Sequence, residues 1–217
     1  LPGSRPRSSS APRALASYED NVFINCPFDA DYKPLFDAIV FTVHDCGFYA
    51  RSAAEIDDSA ENRLDKLLRI IKESRFGIHD ISRTESSAEG LPRFNMPLEL
   101  GLFLGCKRYG SRRDRSKACL VLDRDRYRYQ RFISDIAGQD VAAHADDPKT
   151  AVRRVRDWLR SHSVREGIPG GSSIWKRYQA FSAELPAICA EARIEMEELT
   201  FKDRTQLMSR WLVRNAA

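Results

Sequence analysis

The residues best placed to do chemistry gather in the stretch 91–105, Leu-Pro-Arg-Phe-Asn-Met-Pro-Leu-Glu-Leu-Gly-Leu-Phe-Leu-Gly. Asn95 is a good helix N-cap, and Pro97 fits the first turn, where a missing N–H costs little. Glu99 then lies one turn in, beside the positive end of the helix dipole, where a carboxylate tends to stay ionised. An ionised carboxylate in such a place suits a group that stabilises or traps a positively charged sugar centre. From this stretch alone, a dipole-satisfied surface Glu on a core helix is the simpler reading. Leu98, Leu102 and Phe103 recur at helical spacing. Gly101 and Gly105 fall four apart on one face. Glycine is costly inside a helix, so the pair predicts close packing or a site.

Ligands of open α/β sheets bind outside the carboxyl ends of the strands. That rule selects the other candidates. Asn25, Cys26, Pro27, Phe28 and Asp29 end or follow the first apolar run. Arg51 and Glu55 follow the second. Asp80, Ser82 and Arg83 close the third, and Arg93 and Asn95 join Glu99 from the helix. Asp123 and the run 124–131, Arg-Asp-Arg-Tyr-Arg-Tyr-Gln-Arg, follow the fourth. Each has a plainer reading. Asp80 can cap the turn after its strand, and Asn25 can bond local backbone. Cys26 has no neighbouring His to activate it. His79 lies in an apolar strand and reads as a core histidine. The 124–131 run alternates cations with stacking rings, as nucleic-acid tracts do. It also holds Asp125 and borders the candidate site, so a structural or ligand-lining loop comes first. Residues 107–117 read as a solvated basic loop. GxGxxG after the first strand, Walker A, HExxH and GxSxG are all absent.

The elements that must position these residues follow from periodicity. Residues 22–25 predict a buried strand, and 32–46 a helix with Leu35, Phe36, Ile39, Val40 and Val43 on one face, ended by Gly47. A second strand at 48–50 leads into a polar loop, 55–61. A helix over 63–74 carries Leu64, Leu67, Leu68 and Ile71. Strands follow at 76–81 and 118–123, with a weak one at 140–144. An amphipathic helix spans 150–162. The alternation predicts an α/β fold, a parallel sheet of about five strands with helices on both faces. After a hinge at 167–171, helices are expected at 173–192 and 201–214. Their apolar sets, from Trp175 to Leu185 and from Phe201 to Leu212, should bury against the α/β body or a partner chain.

The totals narrow the class. The chain has 217 residues, 42% of them hydrophobic, and a net charge of +4. That charge compels no nucleic-acid partner. No apolar run approaches the roughly 20 residues of a membrane span. Five scattered cysteines without CxxC spacing argue against a disulfide framework or zinc knuckle. They point to buried thiols in a reducing, cytoplasmic compartment. Residues 1–17, rich in Pro, Ser and Arg, are expected as a disordered leader with no secretory signal. The lack of an initiator Met is read as a trimmed or incomplete start. The expected units are therefore the leader, an α/β domain over 18–165 and a helical extension over 166–217.

Three blocks carry a family resemblance. They are 22–25 (Val-Phe-Ile-Asn), 67–82 (Leu-Leu-Arg-Ile-Ile-Lys-Glu-Ser-Arg-Phe-Gly-Ile-His-Asp-Ile-Ser) and 98–105 (Leu-Glu-Leu-Gly-Leu-Phe-Leu-Gly). From residue 21 to about 162, the chain resembles the superfamily that joins Toll/interleukin-1 receptor (TIR) domains to nucleoside 2-deoxyribosyltransferases. The resemblance implies a flavodoxin-like sheet of order 2-1-3-4-5 and chemistry at a glycosidic C–N bond. It puts Glu99 where TIR enzymes carry their catalytic Glu and deoxyribosyltransferases their nucleophile. It also implies a bacterial-type defence or signalling role switched on by self-association. Phe94-Asn95-Met96-Pro97 stands where TIR enzymes usually show a Trp-Cys pair.

The expected activity is cleavage or transfer at a nucleotide N-glycosidic bond, with NAD as the leading substrate. Glu99 and Asp80 are the expected catalytic pair, Glu99 at the ribosyl cation. Asp80, Asn25 and Asn95 would position ribose hydroxyls, and Arg83 or Arg93 would meet phosphate. Pro27, Phe28, Asp29, Glu55 and Ser82 complete the expected binding set. No metal or separate cofactor is called for. The runner-up is a non-catalytic nucleotide sensor or TIR-like scaffold whose C-terminal helices recruit a partner protein. A nucleic-acid-binding module using the basic loops is the weakest of the three.

Overall fold

Short runs rich in Val, Ile and Phe pair into one all-parallel, five-stranded sheet of order β2-β1-β3-β4-β5. The computed structural model describes residues 17–55, 60–84 and 93–216. Of the expected leader, only Ser17 falls among them, at the start of a turn onto Asp20. The strands are β1 (Asn21–Asn25), β2 (Tyr49–Arg51), β3 (Phe76–Asp80), β4 (Ala118–Asp123) and β5 (Val141–Ala143). Helices α1 (Lys33–Asp45), α2 (Arg63–Glu73), α3 (Asn95–Tyr109), α4 (Pro148–His162), α5 (Gly171–Ala192) and α6 (Phe201–Arg214) cover it. The flavodoxin-like order is the expected one. Parallel neighbours need crossovers, and each crossover here carries a helix, apart from the 3₁₀ turns that link β4 to β5.

Side chains alternate between the two faces of β1, as the pleat requires. Val22 and Ile24 join the main core with α1 and α4, while Phe23 points to the other face with Leu67, Ile70, Ile71 and Phe103. Register places Asn25 opposite His79 and Asp80 opposite Leu122, so the ends of β1, β3 and β4 lie at one edge.

Every residue of α1 from Leu35 to Val43 is buried. A helix apolar all round needs cover on both sides. The sheet supplies one side and the C-terminal helices the other. Phe41 lies 5.6 Å from Phe181 and 6.0 Å from Trp211, ring centre to ring centre. Ile174, Leu185, Leu207 and Met208 share this core. The extension thus buries its apolar faces on the α/β body. The expected hinge is not free: Arg156 donates to the carbonyls of Pro169 and Ile168 at 2.7 and 3.3 Å, and Ile168 is buried. Glycines there suggested freedom, but a guanidinium supplied by α4 holds the backbone.

Three other expectations are corrected. Leu64 and Leu68 are exposed, and Ile70 takes the buried place beside Leu67 and Ile71. Gly101 and Gly105 meet nothing; a Cβ at either would face open space. Lys117 is not solvated. Its ammonium donates to Ile71 O and Ser74 O at 2.7 and 2.5 Å, satisfying carbonyls at the end of α2. No helix among the described residues is long and apolar enough to cross a membrane.

Candidate functional site

The edge formed by the carboxyl ends of β1 and β3 collects most of the expected residues. Asn25 closes β1 and is 1% exposed. Its amide nitrogen donates to Met96 O at 2.9 Å and to His79 Nδ1 at 3.0 Å. One side chain therefore ties the first turn of α3 to the sheet. Because Nδ1 accepts, the His79 proton sits on Nε2, which has no partner among the described residues. The ring lies between Phe23 and Phe103, and burial lowers its pKa to about 3. This is the expected core histidine, satisfied at one nitrogen.

Asp80 closes β3 and is fully buried. Its carboxylate accepts from Tyr32 Oη at 2.6 Å and from the Ser82 N–H at 2.8 Å, and lies 2.9 Å from His144 Nε2. Burial pushes its pKa up. His144, Ser82 and Tyr32 outweigh that and hold the carboxyl below the usual range. His144 Nδ1 accepts the Asp146 N–H at 3.0 Å, so the ring proton is on Nε2, the nitrogen next to Asp80. The backbone pays for this placement, since Ala145 and Asp146 both sit at left-handed φ, 54° and 53°. Asp80 thus caps its turn and anchors β1, β3 and β5 loops together. Cys26 lies against the same cluster, and desolvation first, then Asp80, pushes its thiol well up. Tyr32 and His144 were not singled out from sequence. The one signal was a lone His just after the last strand, at the same edge.

Glu99 is set differently. α3 presents Met96, Glu99, Leu100 and Phe103 inward. Asn95 is not the cap. Phe94 holds that position with a helical backbone and no side-chain cap bond, and Asn95 is the first helical residue, exposed. Glu99 therefore lies past the first turn, where the dipole has faded, and is only 7% exposed. Burial raises its pKa to about 7, against the pull of Arg63. The expectation of a carboxylate held firmly ionised is corrected, because desolvation outweighs the dipole.

Around this edge, Pro27 is buried and Phe28 half exposed, its ring edge-on to Phe36 at 5.5 Å. Asp29 accepts the Tyr32 N–H at 2.9 Å and pairs with Arg93 at 3.2 Å, linking the loop after β1 to the approach of α3. Ser82 is buried and Arg83 half-buried, and among the described residues neither the Ser82 Oγ nor the Arg83 Nε has a hydrogen-bond partner. Glu55 is held by a two-nitrogen grip from Arg51, at 2.9 and 2.6 Å, and is set towards β2. Arg128, from the 124–131 run, donates to Asp123 and to Ile81 O, both at 2.8 Å, so that run is structural at this position.

Asn25, Asp80 and Glu99 thus share one edge, yet the first two are sealed inside. The open cavity at this edge is lined instead by Pro27, Phe28 and Asp29. Among the described residues, no group of three or more His, Cys, Asp or Glu side chains is arranged to hold a metal ion. Comparison with family models, with curated proteins and with solved structures finds no match.

Proposed function

We propose that the chain cleaves or transfers the N-glycosidic bond of a nucleotide, with the nicotinamide–ribose bond of NAD as the leading substrate. The observation that carries this reading is Glu99: a nearly buried carboxyl at the ligand edge of the sheet, titrating at about 7. Carboxyls so perturbed cluster at functional sites. In this reaction the C1′–N bond breaks, its electron pair leaves with the neutral pyridine, and positive charge develops at C1′. An ionised Glu99 in poorly solvated surroundings would stabilise that charge far better than one in water. C1′ is then captured by water, which gives up a proton to solvent, either directly or after a C1′ ester to Glu99 has formed and the water or another acceptor displaces the carboxylate from it. Asp80 acts at one remove, as a positioning residue holding Tyr32, Ser82 and His144. Arg83, Arg93 and Asn95 are the groups left to meet phosphate and ribose. Self-association and a defence or signalling role rest on the family resemblance and belong to the same proposal.

The decisive substitution is Glu99→Gln, which keeps size and removes the charge. Release of nicotinamide from NAD should fall roughly 100-fold or more, as when one preorganised electrostatic group is lost. NAD affinity should change little, because the interaction is made mainly in the transition state. Wild-type turnover should also drop as pH falls through about 7, where Glu99 takes up its proton. Equal turnover in the two proteins would sink the assignment.

A further inference from the structure

Residues 107–117 hold six cations and one acid. The inward residues of this loop fix it to the body. Asp114 is buried, accepts from the Ser111 N–H and hydroxyl at 3.0 and 2.7 Å, and stands 3.7 Å from the buried Lys117 ammonium. Gly110 lets the chain close on it, since a Cβ there would stand 2.8 Å from the Asp114 Cβ. The Arg113 carbonyl accepts from Tyr18 Oη at 3.0 Å and from Ser116 Oγ at 2.7 Å. The one acid is therefore turned inward and matched by one cation. The other five cations, Lys107, Arg108, Arg112, Arg113 and Arg115, are exposed.

Arg113 stacks over Tyr18 and donates to Lys72 O at 3.3 Å. The side chains of the other four have no hydrogen-bond or ion-pair partner among the described residues. Two acids beside the loop are already engaged, Glu19 by Arg75 and Glu73 by Arg51. The dipole of α3 accounts for Lys107 and Arg108 in its last turn, but not for Arg112, Arg113 and Arg115 beyond it. Like charges so crowded repel one another and destabilise the compact state. An anion is what this surface lacks. Arg113 also lines an open cavity of about 680 Å³. Arg51 and Arg69 in that cavity are held by Glu55, Glu73 and Glu61, which leaves Arg113 and Lys202 to meet an anion there. Amid these cations the Tyr109 side chain is 88% exposed.

We propose that this surface binds single-stranded nucleic acid. The five cations meet phosphates, Tyr109 stacks on a base, and the strand runs on past Arg113 to the cavity beside Tyr18. Cations interleaved with an open ring hold a strand in this way with little sequence preference. A membrane surface is gripped through an exposed apolar face, and Tyr109 is the only large apolar side chain in 107–117. A duplex keeps its bases stacked on one another, out of reach of Tyr109. The surface lies at the amino ends of the strands, because the loop enters β4 at Ala118 and Tyr18 precedes β1. That is the opposite edge from Glu99, so a bound strand leaves the candidate site open.

The test is fluorescence anisotropy of the full chain with labelled oligothymidylate, oligouridylate and the oligothymidylate–oligoadenylate duplex, beside co-sedimentation with phosphatidylserine vesicles. Affinity for a single strand should fall with salt, with a logarithmic slope of about −2 to −3.5 for roughly three to five phosphates. The tighter of the two oligonucleotides tells whether the strand is DNA or RNA. A variant combining Arg108→Gln, Arg112→Gln and Arg115→Gln should make the slope shallower by roughly 2. Lys149→Gln, Arg160→Gln and Lys176→Gln together remove the same charge from exposed positions on α4 and α5 and should leave the slope unchanged. Tyr109→Ala should weaken single-strand binding roughly fivefold or more and leave duplex binding as it was. Absence of single-strand binding at low salt, tighter binding to vesicles than to either oligonucleotide, an equal loss of slope in the two charge variants, or a Tyr109→Ala protein that binds single strands as wild type does would each overturn the proposal.

Discussion

Glu99 and Asp80 show how the same functional group takes opposite states at one sheet edge. Asp80 is sealed but meets donors on both oxygens, so its charge is kept. Glu99 is mostly buried and is opposed only by the pull of the more exposed Arg63, so burial prevails. The consequence for stability has a definite sign. Unfolded, Glu99 titrates near its ordinary 4.5; folded, at about 7. Between these values the folded state holds a proton that the unfolded state has released, so the contribution of Glu99 to stability falls as pH rises from 4.5 to about 7 and is level outside that window. Glu99→Gln does not titrate. Relative to wild type, the variant should gain on the order of 1–3 kcal/mol across the window, read from urea unfolding below and above it. A constant difference at both ends would mean that Glu99 is hydrated as in water. His79 works the other way. Its depressed folded pKa, about 3, favours the folded state above its ordinary 6.5, and that contribution is lost as pH falls towards 3.

At the scale of elements, α3 carries costs that its own contacts do not repay. Gly101 and Gly105 lie in its interior and open on empty space. Replacing either by Ala adds a methyl that meets nothing and removes backbone freedom from the unfolded chain. Each of Gly101→Ala and Gly105→Ala should stabilise the protein by about 0.5–1 kcal/mol, measured by thermal or denaturant unfolding. A loss of stability instead would show that another surface closes on this face. Two other helices start better furnished. α6 begins with a reciprocal cap between Thr200 and Asp203, and α4 begins with Asp147 accepting from Lys149 and Thr150. α3 starts bare at Phe94, and the Asn25–Met96 bond from the sheet does the work of placing it.

For the whole molecule, the C-terminal helices are a layer of the fold. Ile174, Phe181, Leu185, Leu207, Met208 and Trp211 are all buried with α1. Burying six such side chains at about 1.5–3 kcal/mol each is comparable with the ~5–15 kcal/mol net stability of a domain. Asp37–Arg204 and Asp45–Arg177 pairs cross the same interface. A chain ending at Gly170 should therefore fail to unfold cooperatively and should bind a hydrophobic dye, because α1 would lose its outer cover. A sharp unfolding transition in the shortened chain would mean that the extension is an independent appendage.

What the sequence by itself determined is the set of elements and their order. Strong periodicities such as those of 32–46, 76–81, 150–162 and 201–214 depend only on local spacing, and the strand–helix alternation then leaves a parallel sheet as the simplest closure. The edge where Asn25, Asp80 and Glu99 meet follows from strand direction, so it too was legible. Protonation states, partners and openness were not, because they depend on what arrives from distant parts of the chain. His144, 64 residues on from Asp80, decides that Asp80 is engaged. Arg156 closes the 167–171 link that its glycines suggested was loose. Lys117 turns inward because the carbonyls ending α2 need a donor. Phe201 and Arg204 reach the cavity beside Phe28 only because α6 folds back over α1. Local pattern specifies which face of an element is apolar; desolvation and long-range pairing, which set the chemistry, exist only once the layers have closed.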